Sequence, residues 1–364
     1  MPAPRVRVRA LAPLTVLVLL VCGVLSLTAV TAEVGWQGLL PGLALAAVPV
    51  GPVLATVLWL DRHEAEPPHL LAFAFGWGAC VASLGALVLN TGASRLLDRA
   101  VGDVTNTSVL VAPLVEEALK GVGVLLLLLR RRHQFDGVVD GIVYAVFVGV
   151  GFAYLENVLY LGRALGDEHP ASLVAVFVLR CLVSPFAHPL FTMAVGVGLG
   201  IAARRRSPLR RVGAPLLGFV VAVVLHALWN ASASSGVASF VELFLLLQVP
   251  VLAAAVAVAL AARVRETRLV GRHLQVYART GWLQESEVRV LASAGERRRA
   301  RSLAAARGGR AAARAVREFQ ETATALAFRR DRLRRGTLES SPEEELELLD
   351  RLVRQRREVL ALLP

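Results

Sequence analysis

The chain has 364 residues, is 55% hydrophobic and has a mean hydropathy of +0.59, beyond the composition of a soluble globular domain. Its net charge of +12 is concentrated in the C-terminal region and in short loops, so it bears on membrane topology before it points to nucleic acid. The three cysteines, Cys22, Cys80 and Cys181, fall in apolar runs without CxxC spacing, which reads as buried thiols rather than a disulfide framework or a metal knuckle.

In chain order, residues 1–10 carry three arginines and lead into an apolar run over residues 11–31. That run is longer than the roughly 7–15-residue core of a signal peptide, so a retained first span is expected. A second span is expected over residues 38–60. It ends in the charged loop Asp61-Arg62-His63-Glu64-Ala65-Glu66-Pro67-Pro68. The third covers residues 69–91, and a polar stretch over 93–108 leads to a fourth over 109–129, which stops at Arg130-Arg131-Arg132. The fifth covers residues 138–161, with Asp136 and Asp140 expected to be solvated at its start.

Residues 171–203 are too many for one crossing of a roughly 30 Å core at 1.5 Å per residue. Arg180 is expected to break them, with the sixth span starting there and 171–179 forming an interfacial or re-entrant piece. His188 then lies inside that span, where Pro185 and Pro189 predict a kink. The seventh span covers residues 212–229 and the eighth 240–262. The N-terminus, the 61–68 loop, Arg130–Arg132, 204–211 and the C-terminal region fall on one side. Apart from the 61–68 loop, with its single arginine, these segments are Arg-rich, so both termini are expected to be cytoplasmic.

Residues 263–364 read as a soluble, Arg-rich helical tail, outside a membrane domain of residues 1–262. Ser341-Pro342-Glu343-Glu344 is a helix start with a Ser N-cap, Pro at N1 and Glu at N3. Leu346, Leu349, Leu352, Val353, Val359 and Leu360 form its apolar stripe, suited to a helical hairpin with residues 296–335 or to self-association. The arginines come without a nucleic-acid-binding signature and suit anionic lipid or a cytoplasmic partner.

The fourth span is chemically distinctive. Glu116, Glu117 and Lys120 lie in it, and Lys120 is the only lysine of the chain. A charged side chain costs about 2.5–3.5 kcal/mol at the centre of a membrane helix, so these groups must meet partners or line a wet cavity. Lys120 is placed to pair with Glu116 at i, i+4. On the expected topology Glu116 and Glu117 lie roughly 10–12 Å below the outer face, Glu156 roughly 7–8 Å, His188 roughly 12 Å and His226 roughly 5 Å, at 1.5 Å per residue. His226 and Asn230 share a helix face at i, i+4.

Four helices thus bring carboxylates and imidazoles to similar depth, a set suited to activating water. Two His and a carboxylate can also hold Zn²⁺ with a position open for water. Glu116 and Glu117 are about 100° apart on their helix, so one is expected to act and the other to support it. With Lys120 on the side of Glu116, Glu117 is the expected base. Lone intramembrane Glu or His residues also serve as structural hydrogen bonds between helices. It is the convergence of all of them that points to one site.

With these residues in view, the chain resembles the PrsW family of intramembrane proteases, related to the wider CAAX-protease/Abi superfamily. The resemblance covers about residues 40–262. It rests on Glu116-Glu117-x-x-Lys120, Phe152-x-x-x-Glu156-Asn157, His188 in a Pro-flanked span and His226-x-x-Trp229-Asn230. The charged loop Asp61-x-x-Glu64-x-Glu66-Pro67 is similar as well. The resemblance implies peptide-bond hydrolysis in or beside the membrane. It also implies a single-span membrane protein as substrate, of the anti-sigma-factor kind, cut on its extracytoplasmic side. Metal-dependent and metal-free Glu/His chemistry both remain open at this point.

The combined expectation is an all-α, polytopic bundle of about eight spans with a helical tail, acting as an intramembrane endopeptidase. Glu117 activates water with Glu116 and Lys120 in support. Glu156, His188 and His226 bind metal or polarise the scissile carbonyl, and Asn230 orients the site or stabilises the oxyanion. The alternatives are a proton-coupled transporter using the same Glu and His residues, and a non-catalytic membrane scaffold.

Overall fold

The computed structural model describes residues 5–61, 66–101, 107–131, 135, 137–167, 169–204, 207–234, 237–335 and 342–363. Among these, every regular element is a helix. By contact the chain forms two compact units, Met1–Asp61 with Glu66–Ala257, and Val258–Pro364.

The first unit opens with α1 (Arg5–Ala47) and α2 (Val50–Asp61). The helical path of α1 breaks at Gly35, whose φ of 65° is a left-handed value that favours glycine. α3 (Pro68–Gly76) starts at a proline, where the missing N–H costs nothing. It continues through a π-helical turn (Trp77–Ala82) into α4 (Ser83–Val101). α5 (Ala112–Arg130) follows a second π-helical turn, Thr107–Val111. α6 (Val138–Leu165) is the central element: 83% of its most apolar stretch is buried, against 11% for the helices before Leu60. α1, α3, α5 and α8 pack around it.

α7 (Pro170–Phe177) runs through a third π-helical turn (Val178–Val183) to a break at Ser184–Phe186, from which α8 (Ala187–Ala203) starts. The break expected at Arg180 therefore lies four residues later. The residue before a proline is steered away from helix, and Pro185 does this to Ser184 (φ −125°, ψ 37°), whereas Arg180 finds partners in Glu156 and Asn157 and stays helical. α9 (Pro208–Ser234), α10 (Val237–Leu243), a fourth π-helical turn (Phe244–Gln248) and α11 (Val249–Arg279) complete the sequence into the second unit.

Among the described residues, six helical segments are long and apolar enough to cross a membrane: Pro13–Leu60, Pro68–Leu97, Val138–Leu165, Ala171–Ala203, Pro208–Ser234 and Phe240–Arg279. The first merges two of the expected spans. α5 is absent from this set because Glu116, Glu117 and Lys120 interrupt its apolar stretch. Asp140, expected in solvent, is buried and accepts the Gly137 N–H at 2.9 Å, capping α6. Asp136, Arg132, Glu64 and the expected N-cap Ser341 lie outside the described residues.

The second unit contains the end of α11, α12 (Glu285–Leu291), α13 (Ala294–Arg335) and α14 (Pro342–Leu362). Leu274, Tyr277, Leu291, Leu326, Leu349 and Leu352 form its core. α14 packs on α13, with Arg329–Glu344 and Arg330–Glu345 pairs along the seam. Of the expected α14 stripe, Leu349 and Leu352 are buried while Leu346 and Leu360 stay exposed.

Candidate active site

The polar residues of α5, α6, α8 and α9 meet at one place. On α5, Glu117 and Lys120 have no solvent exposure and Glu116 is 6% exposed. α5 is held against the turn before α4 by Trp77, whose Nε1–H donates to the Leu119 carbonyl at 2.9 Å. Lys120 Nζ donates to Glu117 Oε1 at 2.8 Å and to His188 Nδ1 at 3.0 Å, and lies 3.8 Å from the centre of the Phe152 ring. Its distance to Glu116 Oε2 is longer, 3.5 Å. The i, i+3 partner is thus closer than the expected i, i+4 partner, since His188 and Phe152 draw the ammonium to that side.

Glu117 accepts three hydrogen bonds or ion contacts: from Lys120, from Thr192 Oγ1 at 3.0 Å and from His226 Nδ1 at 3.0 Å. Glu116 is differently placed. Asn90 Nδ2 donates to its Oε1 at 3.2 Å. Its Oε2 is buried without a hydrogen-bond partner, 3.7 Å from His226 Nε2.

His188 is the second residue of α8, with Pro189 next to it in the first turn, where a missing N–H is tolerated. Close approach of α6 sets its position. A Cβ on Gly149 would lie 2.9 Å from Pro189 Cα and 3.0 Å from the His188 carbonyl oxygen. Because Nδ1 accepts from Lys120, the ring proton is on Nε2, which faces Glu156 Oε2 at 2.6 Å. Arg180 anchors the same carboxylate oxygen at 2.5 Å and Asn157 Oδ1 at 2.7 Å. His226 stacks on Phe191, ring centres 5.0 Å apart, and meets His188 edge-on at 5.0 Å.

Glu116, His188 and His226 each offer a ligand atom, and these atoms lie within 4.8 Å of one another. The chemistry of the set fits a metal ion. His226 gives its Nδ1 to Glu117 and keeps Nε2 toward Glu116. His188 gives its Nε2–H to Glu156 and keeps Nδ1, now on Lys120. Carboxylate–imidazole pairs of this kind orient metal-binding histidines. Glu116 Oε2, which no hydrogen bond engages, would supply the acid oxygen.

A cavity of about 570 Å³ reaches this cluster, a size usual for ligand clefts. Glu116, Glu156, Arg180, His188 and Asn230 line it, and Glu117 and His226 lie behind them. Asn230 does not turn to the cluster; its Nδ2 donates to the Ser108 carbonyl at 2.8 Å, tying α9 to the turn before α5. All seven residues singled out in the sequence are therefore at or beside the cavity. Asn90, Arg180 and Thr192 join them; the sequence marked Arg180 as the expected start of a span, while Asn90 and Thr192 carried no sequence signal.

The model of the PrsW family intramembrane metalloproteases matches residues 66–260. Protease PrsW of Clostridioides difficile (strain 630) is 27% identical over 192 residues, 52% of this chain and 78% of that protein. Protease PrsW of Bacillus subtilis (strain 168) is 31% identical over 193 residues, 53% of this chain and 79% of that protein. Protease PrsW of Geobacillus kaustophilus (strain HTA426) is 30% identical over 161 residues, 44% and 66% respectively. No solved structure matches the chain.

Proposed function

Because the chain belongs to the PrsW family of intramembrane metalloproteases and is an integral, multi-pass membrane protease, we propose that its catalytic centre is the Glu116–His188–His226 cluster at the cavity. The observation that carries this is the convergence of three ligand atoms within 4.8 Å on three different helices beside an open cleft. Glu116, His188 and His226 would hold the ion, for which the donor set favours Zn²⁺. When bound, the ion supplies a Lewis acid for the scissile carbonyl and lowers the pKa of water.

The chain's own residues divide the remaining work. Glu117, read from the sequence as the base, has each carboxylate oxygen engaged and does not line the cavity. Its role is to hold the Nδ1–H of His226, with Lys120 and Thr192 fixing it in turn. Glu156, read from the sequence as a ligand, holds the Nε2–H of His188 and borders the cavity. It is suited to take the proton of the attacking water and return it to the leaving amine. Arg180 keeps that carboxylate in place and brings a fixed positive charge to the cavity wall, where charge develops on the carbonyl oxygen. Asn230 orients the site through Ser108.

The substrate is a single-span membrane protein of the anti-sigma-factor kind, cut near the extracytoplasmic face. Eight spans with both termini cytoplasmic are supported by the Arg-rich loops and by Pro13–Leu60, whose 48 residues extend about 70 Å at 1.5 Å per residue, more than twice a bilayer core. Residues 1–262 form the membrane protease, and the 263–364 tail serves a cytoplasmic partner or self-association.

The test is cleavage of a panel of synthetic single-span peptides by the full chain in liposomes. Wild type should cut at least one near its outer end, and Glu116→Gln, His226→Ala and chelation should each abolish this. Cutting that survives all three would overturn the site.

A further inference from the structure

One wall of the cavity belongs to a helix that carries none of the motif residues. Ser83, Leu87, Asn90, Thr91 and Ser94 of α4 line it, at spacings that put them on a single helix face. Asn90 touches the site directly, through its Nδ2 bond to Glu116 Oε1. The amide orientation follows from chemistry: turned over, its oxygen would face the carboxylate oxygen, acceptor against acceptor. Held this way, Asn90 Oδ1 is buried and has no hydrogen-bond partner. Folded proteins leave few such acceptors, and this one belongs to a side chain that lines the cleft.

The donor it lacks is one that a substrate brings. A peptide bond in a membrane helix has its backbone groups paired within the helix, and unwinding it for attack frees N–H groups in a medium poor in water. Two neighbouring acceptors are already engaged: the Ser108 carbonyl by Asn230, and Glu156 Oε2 by Arg180 and His188. We infer that Asn90 is a substrate-positioning residue: its Nδ2–H sets the orientation of Glu116, and its Oδ1 receives a backbone N–H of the unwound substrate strand beside the scissile bond. This rests on the protease site proposed above. It makes an extended main chain, rather than a side-chain pattern alone, part of what the site recognises.

The test uses the single-span peptide cut by wild type in liposomes and a series in which one backbone amide near the scissile bond is replaced by an ester, removing one N–H. With wild type, one ester position should lower kcat/KM about tenfold, mostly through KM. Asn90→Leu should lower kcat on the all-amide peptide, through the loosened Glu116. It should also make that ester position indistinguishable from the amide. Asn90→Gln, which keeps donor and acceptor, should recover part of the rate and part of the ester effect. It also carries the comparison if the leucine variant fails to fold. Full wild-type rates in Asn90→Leu, or an ester penalty that persists unchanged in it, would overturn the inference. Wild-type cleavage that survives Glu116→Gln would instead overturn the site itself.

Discussion

Replacing Lys120 by methionine probes how the charged cluster is held. Its ammonium is fully buried, 2.8 Å from Glu117 Oε1 and 3.5 Å from Glu116 Oε2. At an effective dielectric near 20 these attractions amount to about 6 and 5 kcal/mol before desolvation. Desolvation offsets much of that, and breaking one side of a buried pair costs about 3–5 kcal/mol in practice. Methionine fits the same volume beside Phe152, so packing changes little. Lys120→Met should therefore lower unfolding free energy by about 3–5 kcal/mol, read from a denaturing-detergent titration of the purified protein by circular dichroism. The double variant Lys120→Met/Glu117→Gln should recover about 1–3 kcal/mol, since it also removes the anion left behind. A loss under about 1 kcal/mol, or strictly additive effects, would refute the assignment of Lys120 as the cation that neutralises Glu117.

Three other variants separate the parts of the site. Gly149→Ala places a Cβ 2.9 Å from Pro189 Cα; overpacking should cost about 1–3 kcal/mol, and displacement of His188 should reduce cleavage more than stability alone explains, checked by comparing rates with unfolding curves. Thr192→Val removes one of the donors on Glu117 and should cost about 1 kcal/mol with a modest fall in cleavage, measured in the same two assays. Glu156→Gln should abolish cleavage while zinc-loaded protein retains its ion, measured by elemental analysis, if Glu156 acts on water and on His188 as proposed rather than as a ligand.

What was legible in the sequence was the chemistry that offends a membrane helix. Glu116, Glu117, Lys120, Glu156, His188 and His226 stand out because each is costly in an apolar run, and their similar depths followed from counting residues along the spans. The division of labour among them was not legible. Whether Glu116 or Glu117 meets the cavity depends on helix rotation and on which carboxylate Thr192 and His226 reach, and neither is coded by spacing on α5. The same holds for Glu156, whose role turns on the single bond to His188 Nε2. Asn90 and Thr192 were invisible because one amide or hydroxyl in an apolar helix is unremarkable until its partner is known. The break at Ser184 rather than Arg180 shows a local backbone rule, the residue before proline, prevailing over a charge that found partners.

The most direct measurement is X-ray absorption at the zinc edge of the zinc-loaded full chain, with His226→Ala and Glu116→Gln beside it. Two imidazole nitrogens and a carboxylate oxygen at about 2.0–2.2 Å, with one imidazole lost in His226→Ala and the carboxylate lost in Glu116→Gln, are predicted. Sulfur scattering near about 2.3 Å, or a spectrum unchanged by both substitutions, would contradict a Glu116–His188–His226 centre.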